Sequence, residues 1–168
     1  QKAFDLKKVD FLIDRTLPCN DISAIYKSQN RAYKKLIVVD KVNGGKADAL
    51  NAGINISNKE LVACIDVDCI IQPDALLKMV KPYLEDRENT VAIGGVVRIA
   101  NSCIVEEGRL IKVNLPESLL ARFQVLEYMR SFLLGRMAWS RLNGLMLISG
   151  AFGLFKREVV LTVGGYDK

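Results

Sequence analysis

Short apolar runs alternate with longer amphipathic stretches along this chain, the pattern of an α/β domain. Leu61-Val-Ala-Cys-Ile65 is unbroken and rich in strand formers. It predicts a strand buried on both faces of a largely parallel sheet. Leu36-Ile-Val-Val39 reads the same way, and both runs end in aspartate, Asp40 in one case and Asp66 in the other. Val91 to Ile99 is a further strand, where Gly94-Gly95 permits a bulge or the close approach of another group.

Helices are expected between these runs. One starts at Asn20 or Asp21 and reaches about Lys35, with Ile22, Ile25 and Tyr26 on one side. A second follows the turn Asn43-Gly44-Gly45 and spans Lys46 to about Ser57, with Ala47, Leu50 and Ile54 at helical spacing. A third begins at Pro73, buries Leu76, Leu77, Val80 and Leu84, and is kinked or shortened by Pro82. Asn101 to Pro116 is a loop or a pair of short extended pieces, and a short helix from Arg157 to Val163 is stopped by Gly164-Gly165. Gln1 to Pro18 carries no clear pattern.

Glu117 to about Leu142 is the longest helical stretch. Leu119, Leu120, Phe123, Leu126, Met137 and Trp139 make it apolar over more than one face, which predicts burial in the core. Arg122, Arg130, Arg136 and Arg141 also suit a helix resting at a membrane interface.

Composition narrows the function classes. The length of 168 residues fits one domain, and half of them are apolar, enough for a core. The net charge of +5 is spread along the chain without a basic stripe, which fits an anionic small ligand and argues against nucleic acid. Histidine is absent, which excludes a histidine base, a Ser-His-Asp triad and His-bearing zinc sites. Cys19, Cys64, Cys69 and Cys103 form no C-x-x-C pair and predict a reducing, cytosol-facing location. Gln1 to Leu12 holds no signal-peptide core, and the tract Phe132 to Phe155 is broken by Arg136, Arg141 and Asn143, so no spanning segment is expected.

The candidate chemistry centres on Asp66 and Asp68. Ligands in open α/β sheets bind at the carboxyl ends of strands. In an extended segment residues i and i+2 face one side, so both carboxylates can reach one cation. Oxygen ligands of this kind suit Mg²⁺ or Mn²⁺. The plainer alternative is a strand end whose aspartates cap the next helix. Gly44-Gly45-Lys46 lacks phosphate-loop spacing, since Ala47 follows the lysine, yet a helix N-terminus with a lysine can still hold an anion.

Four segments in order then resemble one family. Asn43-Gly-Gly-Lys46-Ala-Asp-Ala-Leu-Asn51-Ala-Gly53 and Ile65-Asp66-Val-Asp68 with Pro73-Asp74-Ala-Leu76 are two of them. Gln124-Val-Leu-Glu127-Tyr128 and Ser149-Gly150-Ala-Phe-Gly153 through Gly164-Gly-Tyr166 are the others. They resemble the family-2 glycosyltransferases of GT-A fold, in particular the membrane-associated synthases of cellulose, hyaluronan and poly-N-acetylglucosamine. The resemblance covers Leu36 to Lys168 and implies a single partial domain with a mixed, mostly parallel sheet and flanking helices, incomplete at both ends.

It also implies an inverting transfer from a nucleotide-diphosphate sugar, UDP-linked by expectation, to a growing glycan. Asp68 would ligate the metal. Asp66 would share in that and contact the ribose or phosphate side of the donor, Lys46 would lie by the nucleotide, and Ser149 and Gly150 would line the acceptor side. The parent enzyme would sit on the cytoplasmic side of the membrane, held by segments outside this chain.

Three family features are missing. The opening strand with its Tyr-Asn-Glu segment is not found. The Glu-Asp pair that follows Gly-Gly-Tyr, whose Asp is the catalytic base, is expected beyond Lys168, with Asp167 in the loop before it. The Gln-x-x-Arg-Trp element is absent, since Trp139 follows Ala138. The chain therefore reads as the middle of a longer enzyme, inactive alone. Two other functions share some of these features. A haloacid-dehalogenase-type phosphatase also ends a strand in Asp-x-Asp, with the first Asp as nucleophile. A non-catalytic nucleotide-binding module needs only the anion site.

Overall fold

A computed structural model of the chain describes residues 2–13, 15–142 and 144–167. Asn143 and Lys168 lie outside the described residues. The chain divides into two units, 1–62 with 157–168 and 63–156.

The first unit holds the sheet β1-β2-β3, formed by Leu6–Val9, Ile22–Ser28 and Ile37–Lys41. Both pairings are antiparallel, with Ile25 opposite Val9 on one side and Val39 on the other. β2 replaces the helix expected after Asn20. Its ladder is irregular between Ile22 and Ala24, so its apolar positions miss strict alternation and mimic helical spacing at Ile22, Ile25 and Tyr26. Pairing on both edges decides the matter, since tertiary context overrides a weak local pattern. Helix α1, Gly45–Ile56, matches the expected second helix, and α5, Arg157–Thr162, matches the last.

β4, Leu61–Ile65, falls on the predicted run. Only Val62 and Cys64 are buried, while Ala63 is exposed. The strand thus buries one face instead of two. In the second unit β8, Phe152–Lys156, lies between β4 and β5, Ala92–Gly94. β5 runs antiparallel to β8 with Ile93 opposite Leu154. The chain is α/β, and every pair with a described register is antiparallel, where the apolar runs predict parallel neighbours. Gly95 provides the expected close approach: a side chain there would meet the Phe152 ring at 2.3 Å.

α2, Ala75–Glu85, starts two residues after Pro73 and continues past Pro82. It buries Met79 and Tyr83, while Leu76, Leu77 and Leu84 are exposed. Both stripes have helical spacing and lie about a quarter turn apart on the helix, and periodicity alone does not choose between them. β6, Ile104–Glu106, and β7, Arg109–Lys112, form a hairpin. Its turn residues Glu107 and Gly108 both have positive φ, 48° and 75°, as a two-residue hairpin turn requires.

The long helix is present as α3, Leu119–Met129, a π-type turn over Arg130–Gly135, and α4, Arg136–Arg141. Core burial, the first expectation, does not hold. Among the described residues of this run only Phe132 is buried, under the Arg136 guanidinium at 4.0 Å and edge-on to Tyr128. Leu120, Phe123 and Leu126 stand exposed. Among the described residues no helix is long and apolar enough to cross a membrane, and no disulfide joins the four cysteines.

Candidate functional site

The acidic motif is a turn, not an extended segment. After β4 the Cys69 amide donates to the Asp66 carbonyl at 3.1 Å, closing Asp66-Val67-Asp68-Cys69. Expectations drawn from extended i, i+2 geometry therefore do not apply here. Val67 and Asp68 project into solvent at the tip, and Asp66 is half-buried at the base. A second segment fixes this turn. The Asp66 amide donates to the Ala151 carbonyl at 3.1 Å, and the Cys69 thiol donates to the same oxygen at 3.5 Å. The Ala151 amide in turn donates to Ser149 Oγ at 3.4 Å.

Asp66 is thus tied, through Ala151, to the segment that carries Ser149 and Gly150, all within the second unit. Asp66 and Asp68 offer hard oxygen donors on an accessible turn, a donor set that fits Mg²⁺ or Mn²⁺. Among the described residues no cluster of three or more cysteine or acidic side chains is placed to hold a metal. A cation here would complete its shell with water and substrate oxygens, as Mg²⁺ commonly does.

Lys46 belongs to the first unit, where it is exposed in the first turn of α1. Two glycines shape that helix start for different reasons. Gly45 has φ +84°, a conformation that costs other residues energy. Gly44 is required by space, because a Cβ there would lie 2.5 Å from the Asp48 carboxyl carbon. Asn43 Oδ1 accepts the Gly45 amide at 3.0 Å.

The residues that sequence reasoning missed are on the buried face of α1. Asp48, Asn51 and Asn55 are all buried, at spacings of three and four that place them on one side of a helix. Asp48 pairs with the Lys41 ammonium and accepts the Asn20 amide at 2.7 Å. Asn55 accepts the Leu17 amide and donates to the Leu17 carbonyl, each at 2.9 Å. Asn51 treats Tyr166 alike, accepting its amide and donating to its carbonyl, each at 2.9 Å, and also donates to the Pro18 carbonyl at 3.0 Å. Buried amides of this kind must be satisfied, and these are. The available signal was the 3-4 spacing of Asp48, Asn51 and Asn55 within the helix.

Comparison with known proteins identifies the family. The family model of glycosyl transferase family 2 matches residues 20–162. The chain is 30% identical over 162 residues to the poly-beta-1,6-N-acetyl-D-glucosamine synthase of Staphylococcus aureus (strain COL), covering 96% of this chain and 35% of that protein. It is 30% identical over 148 residues to the enzyme of the same name from Staphylococcus epidermidis, covering 88% of this chain and 32% of that protein. The chain thus spans about a third of the length of the curated relatives it matches.

Proposed function

Since this chain belongs to glycosyl transferase family 2, we propose that it is the donor-handling part of an inverting glycosyltransferase that draws on a UDP-sugar, uses a divalent metal and extends a glycan. The observation that carries the reading is the Asp66–Cys69 turn at the end of β4, tied to the Ser149–Ala151 segment by the Ala151 carbonyl. A sugar diphosphate leaves as an anion, and a bound divalent cation would neutralise that charge. Asp66 and Asp68 would hold the cation. Lys46, on a helix N-terminus, suits the nucleotide's phosphates. Ser149 and Gly150 would line the acceptor side, where a hydroxyl attacks the anomeric carbon as the diphosphate departs, its proton passing to a carboxylate base.

The names of the relatives support a polymeric acceptor, and the resemblance to the membrane-associated synthases is what supports a parent protein working at the membrane. The phosphatase alternative shares only the strand-end Asp-x-Asp and has no support from the family match. Calorimetric titration of the protein with UDP-sugars, with and without Mn²⁺, tests the reading. Binding that requires the metal and disappears in Asp66→Ala is the expected outcome. Metal-independent binding, unchanged in that variant, would overturn it.

A further inference from the structure

Asn51 makes contacts that a packing residue does not need. Its side chain is fully buried on α1, and its amide meets both backbone polar groups of Tyr166, 115 positions away. The geometry copies one rung of a β-ladder with a side chain in place of a strand. Gly165 makes room for it: φ is +83°, and a Cβ there would lie 2.6 Å from Asn51 Oδ1. Immediately beyond Tyr166 is Asp167, an exposed carboxylate. We infer that Asn51 is a positioning residue whose amide clasps the Tyr166 backbone and holds the Gly164–Asp167 segment in register with the helix that carries Lys46.

Two features separate the clasp from ordinary stabilisation. The Gly165 amide, one residue earlier, is held independently by the carbonyl of Val160 in α5 at 3.0 Å. Helix α1 is also held through Asp48 and Asn55 at other points. Opening the clasp should therefore release Tyr166 while sparing its neighbour and the helix. A residue that merely supports the fold would loosen all of them together.

Amide hydrogen exchange on the Asn51→Leu variant, resolved by residue, decides this. Exchange at Tyr166 is expected to accelerate about tenfold or more, with Gly165 and the core amide of Ile25 unchanged, as expected of a local opening. Unchanged protection at Tyr166, or equal acceleration at all three sites, would overturn the inference. Gly165→Ala opens the same clasp from the other side without altering α1. It should also release Tyr166 and spare Ile25, and a folded Gly165→Ala protein with Tyr166 still protected counts equally against the clasp.

The catalytic consequence rests on the glycosyl-transfer reading. In the full-length enzyme Asn51→Leu should lower kcat about tenfold or more while leaving donor KM within about twofold, because misplacement costs rate and not uniform binding. A raised KM at unchanged kcat would remove the positioning role. If the wild-type enzyme transfers no sugar, the glycosyl-transfer reading fails while the exchange experiment still judges the clasp.

Discussion

The Ala151 carbonyl accepts the Asp66 amide at 3.1 Å, so the residue that follows Ser149-Gly150 fixes the first residue of the acidic motif. The Cys69 thiol reaches the same oxygen. Two sequence motifs more than 80 positions apart in the chain, at |i−j| = 82 for Cys69 and Ala151, are joined at one atom. The two carboxylates consequently lie on a turn whose base is anchored and whose tip is open, a placement that favours exchangeable ligands over a closed metal cage.

Asp68→Asn should abolish metal-dependent donor binding and leave the fold unchanged. Asp68 is exposed at the turn tip, and exposed substitutions typically change stability by less than about 0.5 kcal/mol. Titration with Mn²⁺ and a UDP-sugar, alongside thermal unfolding, separates the two effects. Undiminished binding by the variant would refute the metal role.

Lys46→Ala should weaken donor binding by about 1–3 kcal/mol, the range for losing a hydrogen bond to a charged group. The residue is exposed in the first turn of α1. If it is only a solvated lysine, the same titration will show a change below about 0.5 kcal/mol.

How far the sequence carried depends on the kind of signal each segment holds. β4 was legible because Leu61–Ile65 is short, apolar and sharply ended, and α1 because Gly44 and Gly45 announce its start. β2 was not, because one ladder irregularity near Ile22 turns a period of two into apparent helical spacing. The buried face of α1 escaped for a different reason. Periodicity arguments equate burial with apolar residues, whereas Asp48, Asn51 and Asn55 are buried to organise distant backbone. At the candidate site, Asp66, Asp68, Ser149 and Gly150 stand out in the sequence by residue type and motif. The turn and its Ala151 anchor were not, since they depend on a segment remote in the chain.

Lys78→Met should raise the Asp74 carboxyl toward its ordinary range. The Lys78 ammonium hydrogen-bonds Asp74 at 2.7 Å and holds its carboxyl below the usual carboxylate range. Because the folded-state value is depressed, the stabilisation is present above the unfolded pKa and is lost as pH falls through the lower, folded one. The pair is solvent-exposed, so the effect is local. A carbon-detected NMR titration of Asp74 is the direct check, and an unchanged midpoint in Lys78→Met would contradict the pairing.

The Lys41–Asp48 pair provides the sharpest test of the first unit. The Asp48 side chain is fully buried and that of Lys41 is 11% exposed, so neither charge can turn to water when its partner is removed. Breaking a buried pair from one side leaves an uncompensated charge and typically costs about 3–5 kcal/mol. Asp48→Leu should therefore be strongly destabilising, and more so because the Asn20 amide loses its acceptor. Lys41→Met should be similarly harmful, since it strands Asp48 without its ammonium. The double variant removes both charges together, so it should recover much of the loss, as replacing a whole buried pair is often near-neutral. Denaturant unfolding of the wild type, both single variants and the double variant closes the cycle. Additive losses would show that the two residues do not act as a pair, and that the approach of α1 to Asn20 and Gly44 is set by packing alone.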